Sequence, residues 1–484
     1  MPIFPNMPLF SQLSDNPTAA LVGAADALLS QQSYSFIGYH GTSLASLRNI
    51  GMHGLMLTYA GSAVGLERGL GFYVARNLRL AKDYAEGVTI ETQEEPPYES
   101  SPKAGELGIY VITRDYLPDN IAHKYSDEYC NVSIIDREAV LAVAREKQID
   151  GIMSFAVDPG VTTAAYVAEQ MNLPQAGPYE SICILQNKDR FRKFLAEHGF
   201  NVPQARAYVD YKDAKVDVNA FNFPIIVKPT DSAGSKGVSR VDEIECFEQA
   251  FYYAKEYSIS GKVIVEEFIE KQGCSSDSDC FSINGELSFV SFSAQRFDDS
   301  ASNPYTPSAF SWPSTMTLEQ ESELTSELQR LLTLLHMKTS IYNVETRIGV
   351  DGKGYIMEVS PRGGGNRLSE MLRYATNIDL IENAVSAAIG DDIGQISQWS
   401  YKGHWAEFIL HSNTSGFFEQ IRIAPDLNDY VVETDLWLNR GDNISSFQCA
   451  NNSIGTIVMK FPSKSALDKA MNEINMKVLI DIKQ

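Results

Sequence analysis

The pattern of apolar and polar positions along the chain predicts a mixed α/β protein. Short apolar runs predict strands at 223–228, 262–266, 341–348 and 354–359. Apolar residues at helical spacing predict helices at 136–147, 160–172, 187–199, 317–336 and 366–388. Between residues 108 and 172 the predicted strands and helices alternate, which is typical of a parallel sheet, so we expect a short parallel α/β unit there.

The two ends of the chain have weaker patterns. Residues 1–14 are rich in proline, and residues 89–105 combine a charge run with two prolines, which predicts a long surface loop and a boundary. Residues 400–484 predict short strands, a hairpin at 447–461 and a last helix near 465–474. For a chain of 484 residues, about three domains are expected.

Composition narrows the class of protein. The chain has 62 acidic against 40 basic residues, a formal net charge of −22, which argues against a general affinity for nucleic acid or anionic membranes. Its six cysteines form no CxxC pair, so we expect neither a zinc site nor a disulfide framework. No Lys or Arg precedes Arg48, and no apolar run approaches the roughly 18–20 residues of a membrane span. We therefore expect a cytoplasmic protein, with secretion by a signal-less route left open.

The segment FPIIVKPTDSAGSKGV, residues 223–238, carries a candidate phosphate site. Lys228 ends an apolar strand, and a loop of small residues follows it. The loop residues of interest are Ser232, Gly234, Ser235 and Gly237. A cation beside exposed backbone N–H groups can hold phosphate. This is not a Walker A motif, because GxxxxGK[ST] is absent. A simple turn after a buried strand is the alternative.

A candidate adenine site follows in the segment KVIVEEFIE. The strand ends in Glu266, Glu267, Phe268 and Ile269. An adenine ring needs an apolar slot with backbone donors and acceptors at its edge, and a strand that runs into a hinge supplies both. The alternative is an edge strand with exposed acids.

A candidate metal site lies in YNVETRIGVDGKGYIMEVSPRGGGNR, two strands joined by a turn at DGKG. A turn centred on residues 352–353 pairs Glu345 with Ser360 and Arg347 with Glu358, and all four side chains then share one face. Two converging carboxylates suit Mg²⁺, which usually binds one or two carboxylates plus substrate phosphates. A cross-strand Glu–Arg salt bridge is the alternative.

A cation and three glycines follow this strand pair. Arg362 and the glycine run 363–365 offer a guanidinium and close backbone approach to an anionic substrate.

Four motifs in this order resemble the ATP-grasp superfamily. They are the lysine-bearing helix NKDRFRKFLAEHGFNVP, the lysine–glycine loop, EEFIE and ExR…ExxPRGGG. The likeness is to its carboxylate–amine ligases related to the carbamoyl-phosphate synthetase large chain and biotin carboxylase, and it covers about residues 108–484. The resemblance implies that Lys188 and Lys228 hold the ATP phosphates, beneath the loop 231–237. It also implies that residues 266–269 contact adenine and ribose.

The resemblance further implies the groups that handle the metal and the substrate. Glu345 and Glu358 would bind magnesium, and Arg362 would meet the substrate carboxylate or acyl phosphate. We take Lys228, Arg347 and Arg362 as the catalytic candidates.

Two departures from the family's pattern put single contacts in doubt. Many relatives have Asn where this chain has Ser360, so a third metal ligand is not assigned. The hinge also lacks the usual Gly–x–Glu, which leaves Asp279 as a candidate for the ribose contact.

The amino-terminal strings GYHGTSLASLRNIGMHGL, GLGFYVA and AKDYA resemble ADP-ribosyltransferases of the diphtheria-toxin and exotoxin A type. The resemblance implies NAD binding by His40, Gly41, Thr42, Tyr73 and Tyr84. The His and Thr side chains can hydrogen-bond ribose, and tyrosine rings can stack on nicotinamide. No catalytic glutamate can be assigned, so an active transferase, a binding-only module and a chance resemblance stay open.

Together these features predict a multidomain protein of α/β and α+β class. In chain order, we expect an ADP-ribosyltransferase-like module (1–107), a shortened parallel pre-ATP-grasp domain (108–186), an ATP-grasp domain (187–399) and a carboxy-terminal α+β subdomain (400–484). The expected function is ATP-dependent ligation of a small carboxylate to an amine with Mg²⁺. NAD and a protein target are expected only for the amino-terminal module. An ADP-ribosylating effector with an accessory ligase half, or a nucleotide-sensing protein without turnover, remains an alternative.

Overall fold

The computed structural model describes residues 72–74, 111–115, 127–232, 235–394, 396 and 399–483. For residues 72–74 only the backbone is described. Within these ranges the chain forms five sheets with helices packed against them. None of the helices in the described ranges is both long and apolar enough to cross a membrane.

The first sheet belongs to a small α/β unit. Its elements are β1 (Phe72–Val74), β2 (Ile112–Asp115), β3 (Glu128–Asn131), α1 (Arg137–Lys147), β4 (Met153–Ser154) and α2 (Asp158–Met171). β2 and β3 are parallel, but β1 lies between β2 and β4 and is antiparallel to both. The sheet is therefore mixed, and the prediction of a parallel sheet is wrong.

The prediction failed because β1 comes from a part of the chain that precedes the predicted unit. This strand comes from residues before 107, so the alternation of strands and helices after residue 108 could not show it. The predicted boundary at 107 therefore separates strands that pair within one sheet. Tyr73, a predicted NAD contact, lies on β1.

Two polar residues of this unit, Asp136 and Asp158, lie at the amino-terminal ends of helices. The Asp136 side chain accepts a hydrogen bond from the Ala139 backbone N–H and caps α1. α2 begins with Asp158 followed by proline, a combination that suits the first turn of a helix. Asp158 thereby lies at the end of α2 that faces the functional cavity.

Two helices lead from this unit into a second sheet. Asn187 lies between α3 (Tyr179–Gln186) and α4 (Lys188–Glu197), and its side chain caps α4. The antiparallel sheet has the order β5–β8–β6–β7. Its elements are β5 (Ala205–Tyr208), α5 (Tyr211–Asp217), β6 (Ile225–Pro229), β7 (Ser239–Val241), α6 (Phe247–Glu256) and β8 (Val263–Glu267).

The third sheet carries the predicted metal residues and has the order β10–β9–β13–β14. Its elements are β9 (Ser276–Ile283), β10 (Glu286–Val290), α7 (Leu318–Leu334), β13 (Ser340–Ile348) and β14 (Gly354–Ser360). Along β13, Val344 and Ile348 pack into the core beneath α7, whereas Glu345 and Arg347 point to the cavity. This alternation follows from the two-residue period of a strand.

The helix predicted at 366–388 is two helices. α8 (Leu368–Thr376) ends at Asn377, which adopts a left-handed conformation with φ 65°, and α9 (Leu380–Ile389) starts after the Asp379 cap. Asparagine tolerates this conformation better than most residues, so the chain can turn between two apolar helices. Both helices contribute to the core cluster beneath Trp312 and Trp405.

The carboxy-terminal part builds two sheets, ordered β11–β12–β15–β19–β17 and β18–β16–β20. Their strands are β11 (Ala294–Phe297), β12 (Pro307–Trp312), β15 (His404–Leu410), β16 (Gly416–Ile423), β17 (Val431–Leu436), β18 (Asn443–Ile444), β19 (Gly455–Phe461) and β20 (Val478–Lys483). The accompanying helices are α10 (Pro425–Asn428), α11 (Lys464–Asn472) and α12 (Ile474–Lys477).

Two sequence predictions change in this part. The hairpin predicted at 447–461 is a loop followed by the single strand β19, which pairs with β15 and β17 rather than with its own neighbours. β12 also pairs with β15, so the sheet joins the predicted domains 187–399 and 400–484.

Candidate active site

A cavity of about 640 Å³ lies where all of these units meet. The starts of α2 and α4, the ends of β6 and β8, the cavity face of β13 and β14, and the loop before α8 contribute to its wall. The segments 437–438, 443–445 and 450–456 close another side. Most of the predicted ATP, metal and catalytic residues line this one space.

The two predicted metal carboxylates face each other across β13 and β14. Glu345 pairs with Glu358, and Asn343 pairs with Ser360. The predicted pairing of Glu345 with Ser360 and Arg347 with Glu358 is therefore wrong. The predicted register is shifted by two residues from the observed one. Because the shift is an even number, the side chains stay on the same face. A bulge after Glu345 then brings Arg347 opposite Tyr355.

The environment of Glu345 fits a divalent cation. Within the described ranges its carboxylate has neither a hydrogen bond nor an ion pair, although it lies beside Glu358. Burial, with a smaller contribution from Glu358, raises the pKa of Glu345. A cation between the two acids would relieve this repulsion. No convergence of three or more Asp, Glu, His or Cys side chains occurs among the described residues. Two carboxylates are nevertheless enough for Mg²⁺ that is also bound by substrate phosphates.

Ser360, the residue left without an assignment, is already engaged. Its hydroxyl donates to Asp158 at 2.8 Å and accepts from the Gln186 amide at 2.6 Å. The side chain therefore joins β14 to the start of α2 and the end of α3.

The predicted phosphate lysines lie at one end of the cavity. Lys188 Nζ is 3.4 Å from Glu358 Oε2 and 3.2 Å from the Ser232 carbonyl oxygen. Burial alone would lower the pKa of Lys188, but Glu358 and then Asp158 outweigh it, so the pKa is raised. This ammonium therefore stays charged beside the two predicted metal carboxylates.

Lys228 belongs to a buried ion cluster with Glu266. Its Nζ is 2.5 Å from Glu266 Oε1, and Arg192 Nε is 2.9 Å from Glu266 Oε2. Burial, helped by Arg192 and Lys188, lowers the pKa of Lys228 despite the opposing carboxylate. Burial would raise the pKa of Glu266, but Arg192 and Lys228 bring it down to about 2. Two cations, Lys188 and Lys228, thus line this end of the cavity, with Arg192 behind Glu266, and phosphates would be attracted there.

The hinge residues 266–269 all line the cavity, but their side chains differ in availability. Glu266 is held by the two cations just described, and Glu267 accepts hydrogen bonds from the Asn222 backbone and side chain. These carboxylates are therefore committed to the protein. Phe268 lies 4.5 Å beneath the Arg240 guanidinium and offers an apolar surface.

Arg347, a catalytic candidate, lies beside this hinge. Its Nη1 donates to the Ile269 carbonyl oxygen at 3.0 Å, and its guanidinium lies 5.5 Å from the Phe268 ring centre. Its Nε is buried and has no partner within the described structure. The arginine therefore has an unpaired Nε donor beside the predicted adenine residues.

The loop of small residues closes over the lysines. Ser235 and Gly237 have positive φ values of 58° and 69°, and the Ser235 hydroxyl donates to the Tyr305 carbonyl oxygen at 3.2 Å. A Cβ on Gly237 would lie 3.0 Å from Pro229, so glycine suits both the conformation and the space. Ser232 also lines the cavity, whereas Gly234 lies outside the described residues.

Arg362 is paired in a way that the sequence did not predict. Its Nε and Nη2 donate to the two carboxylate oxygens of Asp158, at 2.9 and 2.6 Å, and its Nη1 donates to the Gly363 carbonyl oxygen. Burial would lower the pKa of this guanidinium, but Asp158 outweighs burial and raises it. A guanidinium has five N–H donors, so two remain for an anionic substrate.

Two acids of β9 differ from expectation. Asp279, the ribose candidate, is fully buried and accepts hydrogen bonds from the Gly364 backbone and from the Ser369 hydroxyl. It cannot reach a ribose, because these internal groups surround it.

Asp277, which the sequence analysis did not single out, lines the cavity opposite Glu345. Burial and then Glu345 raise the pKa of Asp277 to about 8.

Several other residues that line the cavity were not predicted from the sequence. They are Asp158, Gln295, Asn343 and Arg367. Arg367, for example, bonds Glu370, Glu433 and Thr456, and so ties the glycine loop to β17 and β19. Such residues carry no motif of their own, and long-range pairing alone brings them to the site.

The predicted NAD contacts are not tested. His40, Gly41, Thr42 and Tyr84 lie outside the described residues, and the side chain of Tyr73 is not described either. NAD binding by the amino-terminal segment stays a prediction from the sequence.

Comparison with known proteins supports the ATP-grasp part of the predicted fold, but neither the ADP-ribosyltransferase-like module nor the pre-ATP-grasp unit. Residues 221–370 match the family model of the ATP-grasp domain. The carbamoyl phosphate synthase large chain of Caldanaerobacter subterraneus is 24% identical over 308 residues, 62% of this chain and 27% of that protein. The chain covers only part of the length of the carbamoyl phosphate synthase large chains that it matches. The covered share is 20% for one of these proteins and 28% for another.

Solved structures show the same architecture over most of the chain. L-amino acid ligase from Bacillus licheniformis has a TM-score of 0.63 and 20% identity, over 74% of this chain and 89% of that one. The biotin carboxylase domain of 2-oxoglutarate carboxylase from Hydrogenobacter thermophilus, solved with MgADP, ADP and bicarbonate, has a TM-score of 0.58 and 16% identity, over 78% and 87%. At these identities the likeness concerns the fold. The chain thus has a mixed α/β ATP-grasp fold.

Proposed function

We propose that this chain is an ATP-dependent ligase that joins a carboxylate to an amine and releases ADP and phosphate. The observation that supports this most directly is the cavity face on which Glu345 and Glu358 lie opposite each other beside Lys188. A carboxylate pair next to a cationic end suits a metal–nucleotide complex better than it suits a neutral ligand. The matched ATP-grasp domain and the similar ligase and carboxylase structures support the same reaction class.

The reaction would proceed in two displacements. A carboxylate oxygen of the substrate attacks the γ-phosphorus of ATP, a new P–O bond forms, and the bond to the β–γ bridging oxygen breaks as ADP leaves. The amine nitrogen then attacks the acyl carbon, a C–N bond forms, the C–O bond to phosphate breaks, and the amine releases its proton. Such transfers depend mainly on positioning and charge neutralisation, so a dedicated nucleophilic side chain is not needed.

The residues of the cavity divide these tasks. Lys188 and Lys228 would neutralise the nucleotide phosphates, and Arg362, fixed by Asp158, would face the substrate carboxylate. Arg347 would serve the nucleotide side through its free Nε donor. Glu345 and Glu358 would hold Mg²⁺, which when bound withdraws charge from the phosphate oxygens.

The phosphate loop and hinge would bind the rest of ATP. Ser232, Gly234, Ser235 and Gly237 would cover the phosphates through backbone N–H groups. Phe268 and Ile269 would border the adenine, with Glu266 and Glu267 fixing the hinge from within.

The proposal can be tested by measuring ADP release across a panel of amino acids and small carboxylates, with and without a primary amine. We expect release to depend on the carboxylate. Glu358→Gln should lower turnover by about 100-fold or more, because charge stabilisation at the transferred phosphoryl group is lost. Glu323→Gln, an exposed change on α7, is the matched control. ADP release that ignores every carboxylate, or an active Glu358→Gln variant, would contradict the proposal.

A further inference from the structure

Beyond the carboxylate pair, the cavity continues into a region without a role in the nucleotide assignments above. Asp277 of β9, Gln295 of β11 and Asn343 of β13 line it. Because Asp277 pairs with Glu345, and Glu345 with Glu358, three acids lie in a row across three adjacent strands. A group bound at Asp277 would therefore lie next to the site of phosphoryl transfer.

The Asp277 carboxylate has only neutral partners. It accepts a hydrogen bond from the Asn343 amide at 2.7 Å and a longer one from the Gln295 amide at 3.4 Å. Unlike Asp158, Glu266 and Glu358, it forms no ion pair within the described part of the chain. Arg362 acts on Asp277 through its charge alone, because its hydrogen bonds go to Asp158 and Gly363. The acid therefore has no bonded counter-charge, which a cationic ligand would supply.

An unpaired acceptor lies beside this acid. The Gln295 side chain is 3% exposed, and its Oε1 has no hydrogen-bond partner in the described structure. Buried polar atoms nearly always have a partner, so an exception in a cavity wall points to a ligand atom. Since Oε1 can only accept, that ligand atom must be a donor.

We propose that Asp277 and Gln295 bind the nitrogen of the amine substrate as a primary ammonium group, which rests on the ligase function proposed above. An ammonium group has three N–H donors and one positive charge, which match the carboxylate and the free amide oxygen. A carboxylate or phosphate would bring only acceptors and a second negative charge. Phe297 and Pro307 line the neighbouring wall and suit an alkyl chain. A primary alkylammonium therefore fits better than ammonium itself.

A metal ion is the competing occupant and fits less well. A divalent cation needs several oxygen ligands, and the acid that pairs with Asp277, Glu345, is already assigned to Mg²⁺. Both hydrogen bonds at Asp277 also come from amide N–H groups, which a metal would repel.

The test compares a cationic and a neutral amine on the same carboxylate. n-Butylamine is protonated near pH 7, whereas hydroxylamine is largely neutral and traps acyl phosphate as a hydroxamate. Asp277→Asn should raise the KM for n-butylamine by about 30-fold or more. Hydroxamate formation should fall by a smaller factor than amide formation from n-butylamine, because hydroxylamine carries no positive charge for Asp277 to bind. Asp392→Asn, an exposed change, is the matched control. In wild type, n-butylamine should have a lower KM than ammonium chloride.

A second variant keeps the charge and removes the acceptor. Gln295→Met should raise the KM for n-butylamine by about fivefold, the value of one hydrogen bond. An unchanged KM in both variants would overturn the proposal. Loss of hydroxamate formation in Asp277→Asn, together with loss of one bound Mn²⁺ by electron paramagnetic resonance, would also overturn it and assign Asp277 to the metal.

Failure of the ligase function itself has a different signature. In that case wild type releases no ADP with any carboxylate, and n-butylammonium binding is measured directly by ligand-observed NMR. Binding that Asp277→Asn abolishes supports the site. Absence of binding to wild type overturns it.

Discussion

At the residue scale, the site depends on pairs of opposite charge that come from distant parts of the chain. Arg362 and Asp158 form a two-point ion pair although 204 positions separate them. The sequence showed the arginine, because it follows a strand that carries a predicted metal carboxylate. It could not show the aspartate, because an acid in the first turn of a helix is common for reasons of the helix dipole alone.

Asp158→Asn tests this pair. The change keeps the size of the side chain but removes the charge that orients Arg362, so the KM for the carboxylate substrate should rise roughly tenfold. The free energy of unfolding in urea should fall by about 1 to 3 kcal/mol, because the guanidinium is left with a weaker partner. Asp429→Asn, which is exposed, should change neither quantity. A normal KM in Asp158→Asn would mean that Arg362 is positioned without its partner.

At the element scale, strand register decides which side chains meet. The two-residue period of β13 and β14 was readable from the sequence, and it correctly gathered Glu345, Glu358 and Ser360 on one side. The register itself was wrong, because the turn is centred on Asp351 rather than between residues 352 and 353, and because a bulge adds a residue to β14. Bulges depend on packing across the sheet, which a local pattern does not record. The same limit hid β1, a strand contributed to a sheet from outside the predicted unit.

Another element carries an acid whose environment opposes its charge. Glu407 of β15 is fully buried, and neither carboxylate oxygen has a hydrogen-bond partner in the described structure. Burial is the main cause that raises its pKa to about 8; Arg367 opposes this, whereas Glu370, Glu433 and Asp435 add to it.

Glu407→Gln should therefore change the dependence of stability on pH. The folded protein retains a proton on Glu407 between the ordinary glutamate pKa and about 8, whereas the unfolded chain releases it. Stability must fall as pH rises through this window. The Glu407→Gln variant has no titrating group at this position, so its melting temperature should fall less than that of wild type between pH 5 and 8. At pH 8 its melting temperature should exceed that of wild type by about 2 °C or more. Glu286→Gln is the exposed control. Parallel wild-type and Glu407→Gln curves would show that Glu407 is ionised throughout.

At the scale of the whole molecule, the cavity is a product of every sheet. The α/β unit contributes Asp158, the second sheet Lys228, the third sheet Glu345 and the carboxy-terminal sheet Thr456. The segment before β12 connects these parts, since the Asn303 amide donates to the Gln448 carbonyl oxygen at 2.9 Å and to that of Ser235 at 3.4 Å. The phosphate loop and the carboxy-terminal wall are thereby joined over the cavity.

This scale also shows what sequence can predict. The order of lysine, hinge and carboxylate motifs was enough for the ATP-grasp fold, because these motifs keep their spacing along one chain. The carboxy-terminal lining was not predictable, because neutral residues such as Asn451 and Ser453 reach the cavity only through long-range strand pairing. Asp277 was missed for a similar reason, since its importance comes from its partner Glu345 on another strand.

The acyl-phosphate step can be followed by one isotope measurement. The carboxylate substrate that best promotes ADP release is labelled with ¹⁸O in its carboxyl group, and the released phosphate is analysed by mass spectrometry. Attack of the carboxylate oxygen on ATP, followed by displacement by the amine, predicts one ¹⁸O atom in each phosphate and one in each amide product. Phosphate without ¹⁸O, formed together with ADP and amide, would contradict an acyl-phosphate intermediate.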